Sequence, residues 1–258
     1  MRSLPAIVSA GALAVFLVTW AMAQTADPRR SGYQEMGASL RAMQDDDSAN
    51  PGMLWVGEGR ALWARREGAA GKACADCHAG ETAMAGVAAR YPAFDAATNR
   101  PIDLGQRVNR CRVEQQKAEP LAPESRELVA LSAFIARQSR GQPIAPPDDP
   151  RLRPFVESGE ALWRQRQGQL NLSCAQCHDD NAGGRLAGAT IPQGHPTGYP
   201  IYRLEWQAVG SLKRRLRNCL VGMRAEPYAY DSAEYAALEL YLMSRARGMA
   251  MEAPGVRP

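Results

Sequence analysis

Two short strings constrain this chain more than anything else in it: Cys74-Ala75-Asp76-Cys77-His78 and Cys174-Ala175-Gln176-Cys177-His178, both of the form C-x-x-C-H. Two thiols at that spacing can each form a thioether to one vinyl group of a single porphyrin. The adjacent histidine then falls beneath the iron as fifth ligand. A lone copy would also suit a dithiol redox pair or half a zinc site. Two copies behind an export-like N-terminus point to two covalently attached haem c groups, held by Cys74, Cys77 and His78 and by Cys174, Cys177 and His178.

The motifs belong to a longer internal repeat. A shift of 100 residues lays Ala61-Leu62-Trp63 on Ala161-Leu162-Trp163 and the first motif on the second. After an eight-residue insertion in the second copy, a shift of 108 aligns Tyr91-Pro92 with Tyr199-Pro200, Arg107 with Arg215, Cys111 with Cys219 and Arg137 with Arg245. Between the copies, residues 143–154 hold five prolines in twelve positions. Proline fixes φ and lacks the N–H, so this stretch is expected to form neither helix nor central strand.

The expected organisation is therefore residues 1–23 as a signal peptide, 24–142 as a first cytochrome module, 143–154 as a linker and 155–258 as a second module. From Ser3 to Ala26 no residue is charged, Arg2 precedes the stretch, and Ala21-Met22-Ala23 has the small-x-small pattern of a cleavage site. An uncleaved anchor is the competing reading, which Pro5, Ser9 and Gly11 weaken. Cleavage predicts a periplasmic protein with no membrane span. The 31 basic and 27 acidic residues give a net charge of +4, too mild to suggest nucleic-acid binding.

The fold class expected is mainly α, with two tandem modules each wrapped around one haem. Each module reads as helix, haem loop, helix, helix. Trp63 and Trp163 lie on the first helices and are expected in the core, since a haem supplies much of the apolar interior of so short a domain. The last helices are expected from about Glu124 to Arg137 and from Ser232 to about Arg245. Leu128, Leu131 and Ile135 form one apolar stripe, Tyr235, Leu238 and Leu242 the other. Asp231 is expected to cap the second, with Glu234 reaching back to it. No segment alternates with period two over a useful length.

The open question is what faces each iron from the other side. His195 is the one histidine outside the motifs and sits in the insertion of the second copy. Met223 is at a plausible distance, but its counterpart by the shift of 108 is Gln115, which cannot ligate iron. Cys111 and Cys219 are the strong ligand types at matched positions in both copies. Thiolate ligation would lower the potential relative to methionine; a single disulfide between them is the alternative.

Arg215 and Cys219 stand four apart on an expected helix and so share a face. A guanidinium beside a thiol favours the thiolate and offers a planar fork to an oxyanion. Arg107 and Cys111 repeat the relation. The second copy alone adds Lys213, Arg214 and Arg217, which points to the second haem as the working site and to a small dianion as substrate.

The run Ile191-Pro-Gln-Gly-His-Pro-Thr-Gly-Tyr-Pro-Ile-Tyr-Arg-Leu-Glu-Trp206, then Arg214-Arg-Leu-Arg-Asn-Cys219, Arg224-Ala-Glu-Pro-Tyr228 and Leu238-Glu-Leu-Tyr-Leu242, closely resembles the SoxA family of sulfur-oxidising cytochromes. The likeness spans essentially the whole mature chain. It implies an exported L-cysteine S-thiosulfotransferase that pairs with a SoxX-like monohaem cytochrome and conjugates thiosulfate oxidatively to a cysteine of a SoxYZ-like carrier. By the same resemblance Cys219 is the sixth ligand of the second haem and the active-site sulfur, carried as a persulfide, and Cys111 ligates the first haem. Arg215 matches the substrate-binding arginine; a second is expected near the last helix, at Arg245 or failing that Arg247. Two rivals remain: a dihaem electron carrier with no chemistry of its own, and a dihaem peroxidase, which the matched cysteines disfavour.

Overall fold

The computed structural model describes residues 27–258; the expected signal segment, 1–23, lies outside them. Eight α-helices follow in chain order: α1 (Ala38–Asp45), α2 (Gly52–Ala64), α3 (Leu104–Cys111), α4 (Arg126–Arg137), α5 (Arg153–Arg164), α6 (Cys174–His178), α7 (Leu212–Gly222) and α8 (Ala233–Arg245). No described helix is long and apolar enough to cross a membrane.

Each module is organised by one helix crossing, and the crossing depends on a glycine. A Cβ at Gly59 of α2 would lie 2.1 Å from the Ala130 carbonyl of α4, and one at Gly159 of α5 would lie 2.2 Å from the Ala237 carbonyl of α8. Only a residue without a side chain lets the backbones approach this closely. Both apolar stripes expected on the last helices are buried. Trp63 and Trp163 are core residues, 5% and 2% exposed.

Asp231 does not cap α8. Ser232 does, its hydroxyl accepting from Tyr235 N at 3.2 Å, and Ser125 caps α4 through Leu128 N at 3.3 Å. A serine immediately before the first helical residue holds its oxygen within reach of the third N–H, so the shorter side chain one position later wins.

The repeat drifts by one residue within each module. A Cβ on Gly68 would meet Gln116 O at 2.2 Å and one on Gly168 would meet Met223 O at 2.2 Å, both glycines having positive φ. Met223 is thus the counterpart of Gln116, not of Gln115. Phe134 and Tyr241 likewise flank the two glycine crossings, so Arg245 matches Gln138 rather than Arg137. The cause is a π-helical turn, Arg112–Gln116, which directly follows Cys111 in the first module. Such a turn accommodates one extra residue.

The proline-rich stretch is more structured than expected. α5 already begins at Arg153 with Pro154 in its first turn, a place where proline's missing N–H costs nothing. Ile144 is fully buried and bonds to the end of the second module, donating to Met249 O and accepting from Gly248 N at 2.8 Å each.

Short strands supplement the helices. β1 (Ala93–Asp95) pairs with β2 (Arg100–Ile102), and β3 (Arg185–Leu186) with β4 (Ala189–Thr190). A three-stranded sheet has the order β6 (Ala208–Gly210), β5 (Ile201–Arg203), β7 (Gly255–Arg257), with Arg203 and Arg257 as register partners.

The N-terminal residues, assigned by sequence to the first module, pack on the second. Arg29 Nη1 donates to the Arg245 and Arg247 carbonyls at 3.0 and 2.9 Å, and Arg30 N donates to Gln193 Oε1 at 2.6 Å.

Candidate functional site

The second C-x-x-C-H motif forms α6, capped by a reciprocal pair. Ser173 Oγ accepts from Gln176 N at 3.2 Å, and Ser173 N donates to Gln176 Oε1 at 2.9 Å. His178 ends the helix. Its Nδ1 lies 2.6 Å from the Pro192 carbonyl, which fixes that nitrogen as the N–H and leaves Nε2 with its lone pair free for a metal. Pro192 lies in the loop that the insertion of the second copy lengthens. Gly194, with φ of +79°, brings this loop down so closely that a Cβ would lie 2.8 Å from the Trp163 ring. The indole and the His178 imidazole are 5.5 Å apart, and Trp63 and His78 repeat the pairing at 5.2 Å.

On the opposite side stands α7. Its Leu212, Arg215, Leu216 and Cys219 recur at helical spacing and line one cavity of about 390 Å³, shared with His178, Trp163, Tyr199, Arg203 and Arg257. The other basic residues of the run point elsewhere, which corrects the expectation that they enrich this site. Lys213 pairs with Asp103, Arg214 lies 4.4 Å from the Trp206 ring centroid, and Arg217 donates to Tyr228 O at 3.3 Å.

Cys219 sits where burial and charge compete. Burial pushes its thiol up, but the His178 imidazole and the Arg215 and Arg203 guanidinium groups outweigh that and hold it below the usual thiol range. Cys174, lacking such neighbours, is pushed up to about 12 by burial and by Cys219. In the first module burial wins at Cys111, with Arg107 opposing, and the thiol is raised. The two matched cysteines therefore differ in acidity, in the direction that favours thiolate in the second copy.

The remaining ligand candidates are placed differently. His195 also lines the cavity, with its Nδ1 facing the Arg30 carbonyl of the N-terminal segment at 2.9 Å. Met223 is buried in the apolar cluster with Leu216 and Leu220 and does not line the cavity. All six cysteines are free, so Cys111 and Cys219 are not joined.

The donor set fits a covalently attached porphyrin. Unpaired motif thiols, an imidazole with a committed Nδ1, and a cysteine that meets this imidazole in a shared cavity occur together in the second module. In the first, Arg107 Nε, one turn from Cys111, is buried without a hydrogen-bond partner and suits an acidic edge of the group.

Arg245, the expected second arginine, is not brought to Cys219. Its Nη2 pairs with Asp179 at 2.7 Å and its guanidinium stacks 4.9 Å from the Trp163 centroid. Arg247 is exposed. The cavity instead holds Arg203 and Arg257, which sequence reasoning passed over. Both lie on three-residue strands, too short for a periodic signal, although Arg203 stands inside the run that carries the family resemblance.

Comparison with known proteins converges on one group. The family model described as "SoxA/TsdA, cytochrome c domain" matches residues 58–144 and 158–251. The chain is 40% identical over 233 residues to the L-cysteine S-thiosulfotransferase subunit SoxA of Pseudaminobacter salicylatoxidans, covering 90% of this chain and 82% of that one. The SoxA subunit of Rhodovulum sulfidophilum is 36% identical, with 92% and 83% covered. Among solved structures, SoxXA from P. pantotrophus superposes with a TM-score of 0.85 at 34% identity, covering 89% of this chain and 87% of that one.

Proposed function

The chain belongs to the SoxA/TsdA cytochrome c domain family, and from that premise we propose that it is the catalytic subunit of an L-cysteine S-thiosulfotransferase that joins thiosulfate to a cysteine of a carrier protein. The observation that carries the proposal is Cys219 meeting His178 in one cavity, within hydrogen-bonding reach of its imidazole, with Arg215 one helical turn away.

A cytochrome c domain carries covalently bound haem c. Two such groups are proposed, one held by Cys74, Cys77 and His78 with Cys111 on the far side, the other by Cys174, Cys177 and His178 with Cys219. Each bound haem would supply an acceptor for one electron at a time, so the two electrons would leave in two one-electron transfers. The chain's own residues do the rest. Arg215 orients the dianion by charge-assisted hydrogen bonds and favours the thiolate of Cys219. The Cys219 sulfur and the outer sulfur of thiosulfate form one S–S bond as two electrons leave. The carrier thiolate then attacks the thiosulfate-derived sulfur that is bonded to Cys219, forms the new S–S bond to the S–SO3 group and releases Cys219 as thiolate. A persulfide on Cys219 would lengthen its reach by one sulfur atom. Arg245 lies outside the cavity, so its contribution runs through Asp179 and Trp163 behind His178.

In this reading the partner is a SoxX-like monohaem cytochrome, the acceptor of the conjugated group is a SoxYZ-like carrier, and the complex works in the periplasm after signal cleavage. The test is Cys219→Ala in the assembled complex. The expected result is loss of thiosulfate-dependent conjugation with both haems still attached; unchanged turnover would leave only an electron carrier.

A further inference from the structure

Arg203 and Arg215 reach the Cys219 cavity from different elements, β5 and α7, and both bear on the same sulfur. Between them stands a single carboxylate. Glu205 Oε1 is 2.7 Å from Arg203 Nε and 4.0 Å from Arg215 Nη1. The Arg203 side chain is 14% exposed, whereas Glu205 is 48% exposed and occupies the turn between β5 and β6. Two neighbouring guanidinium groups with one solvent-facing carboxylate repel each other, and burial together with Arg215 depresses the Arg203 pKa. Such a pair gains most from a second negative charge. Of the two other arginines of the cavity, Arg257 is already satisfied by Gln44 Oε1 at 2.6 Å and Glu252 at 3.1 Å, and the exposed Arg185 donates to Gly188 O at 2.6 Å.

Resting on the proposed thiosulfate reaction, we propose that Arg203 is the second anion-binding arginine of the site and that Glu205 is an internal competitor, which occupies the Arg203–Arg215 fork until the thiosulfate dianion displaces it. The turn residue leaves toward solvent, the sulfonate oxygens take its place between the two guanidinium groups, and the outer sulfur is left pointing at Cys219. No bond to Glu205 is made or broken covalently. Specificity for a dianion over a monoanion follows, since a monoanion would only exchange one charge for one.

The test uses the holo complex with its partner cytochrome and carrier, measuring KM and kcat for thiosulfate. Arg203→Met is expected to raise KM on the order of tenfold to a hundredfold, the worth of a charge-assisted hydrogen bond. Arg203→Lys should fall between parent and Arg203→Met. Glu205→Gln, an exposed change that leaves the fold intact, should lower KM severalfold with kcat nearly unchanged. KM in Arg203→Met within about twofold of the parent overturns the proposal, as does a KM that rises in Glu205→Gln. If Arg203 serves a haem carboxylate instead, Arg203→Met shifts the midpoint potential and its pH dependence while KM stays put, which also overturns it. Failure of the underlying reaction reads differently: the parent complex itself would then show no thiosulfate-dependent conjugation.

Discussion

Lys213 forms a buried ion pair with Asp103 across the two modules, its side chain 9% exposed and that of Asp103 12%. Asp103 caps α3, the helix that ends at Cys111, and Lys213 lies on α7, the helix that carries Cys219. One ion pair thus ties together the two helices that present the distal cysteines. Breaking a buried pair by removing one partner leaves an unpaired charge in a low-dielectric site, at a cost of about 3–5 kcal/mol. Lys213→Met should lower the midpoint of thermal unfolding of the holo protein by several degrees. A variant as stable as the parent would show that the pair contributes nothing.

Glu239 lines the adjoining cavity with Asp103, Glu124 and Lys213. Burial raises its carboxyl to about 8, with Asp103 adding to the shift and Lys213 opposing it. A folded pKa above the unfolded value means stability that is whole below about 4.5 and is lost as the pH rises through about 8. Thermal unfolding followed from about pH 5 to pH 9 should fall less steeply in Glu239→Gln than in the parent. Parallel profiles would sink the assignment.

Gly194→Ala is expected to disturb the second haem selectively. The position needs φ of +79° and has no room for a methyl group against Trp163. The strain, about 1–3 kcal/mol, falls on the loop whose Pro192 carbonyl orients His178. Redox titration should show one of two midpoint potentials moving. Equal movement of both would contradict the local origin of the effect.

Cys111→Ala should perturb the first haem's spectrum yet leave conjugation within about threefold of the parent, because neither Cys111 nor Arg107 lines the cavity beside Cys219. Loss of activity comparable to Cys219→Ala would make the two sites equal partners in the chemistry.

The last helices, their apolar stripes, the core position of each tryptophan and the Arg215–Cys219 face were legible from spacing, because helical periodicity is local; the pairing of each tryptophan with a motif histidine was not. What escaped was set by contacts distant in sequence. Arg203 and Arg257 meet the cavity through three-residue strands fixed only by pairing. Arg245 was drawn away by Asp179, a partner 66 residues earlier. The other basic residues of the Lys213–Arg217 run were counted as one charge cluster, although at about 100° per residue a helix disperses them to different faces.

The π turn after Cys111 bears on the history of the duplication. Between the insertion and this turn the halves correspond at an offset of 108, and beyond it at 107, as for Ala130 with Ala237 and Phe134 with Tyr241. On an α-helix one residue is a rotation of about 100°, so deleting one residue between Cys111 and Gln116 would turn the end of this helix and part Gln116 from the Lys72 carbonyl to which it donates at 2.9 Å. The copies have ceased to be interchangeable parts, and either one can now acquire a substitution that its sibling could not bear.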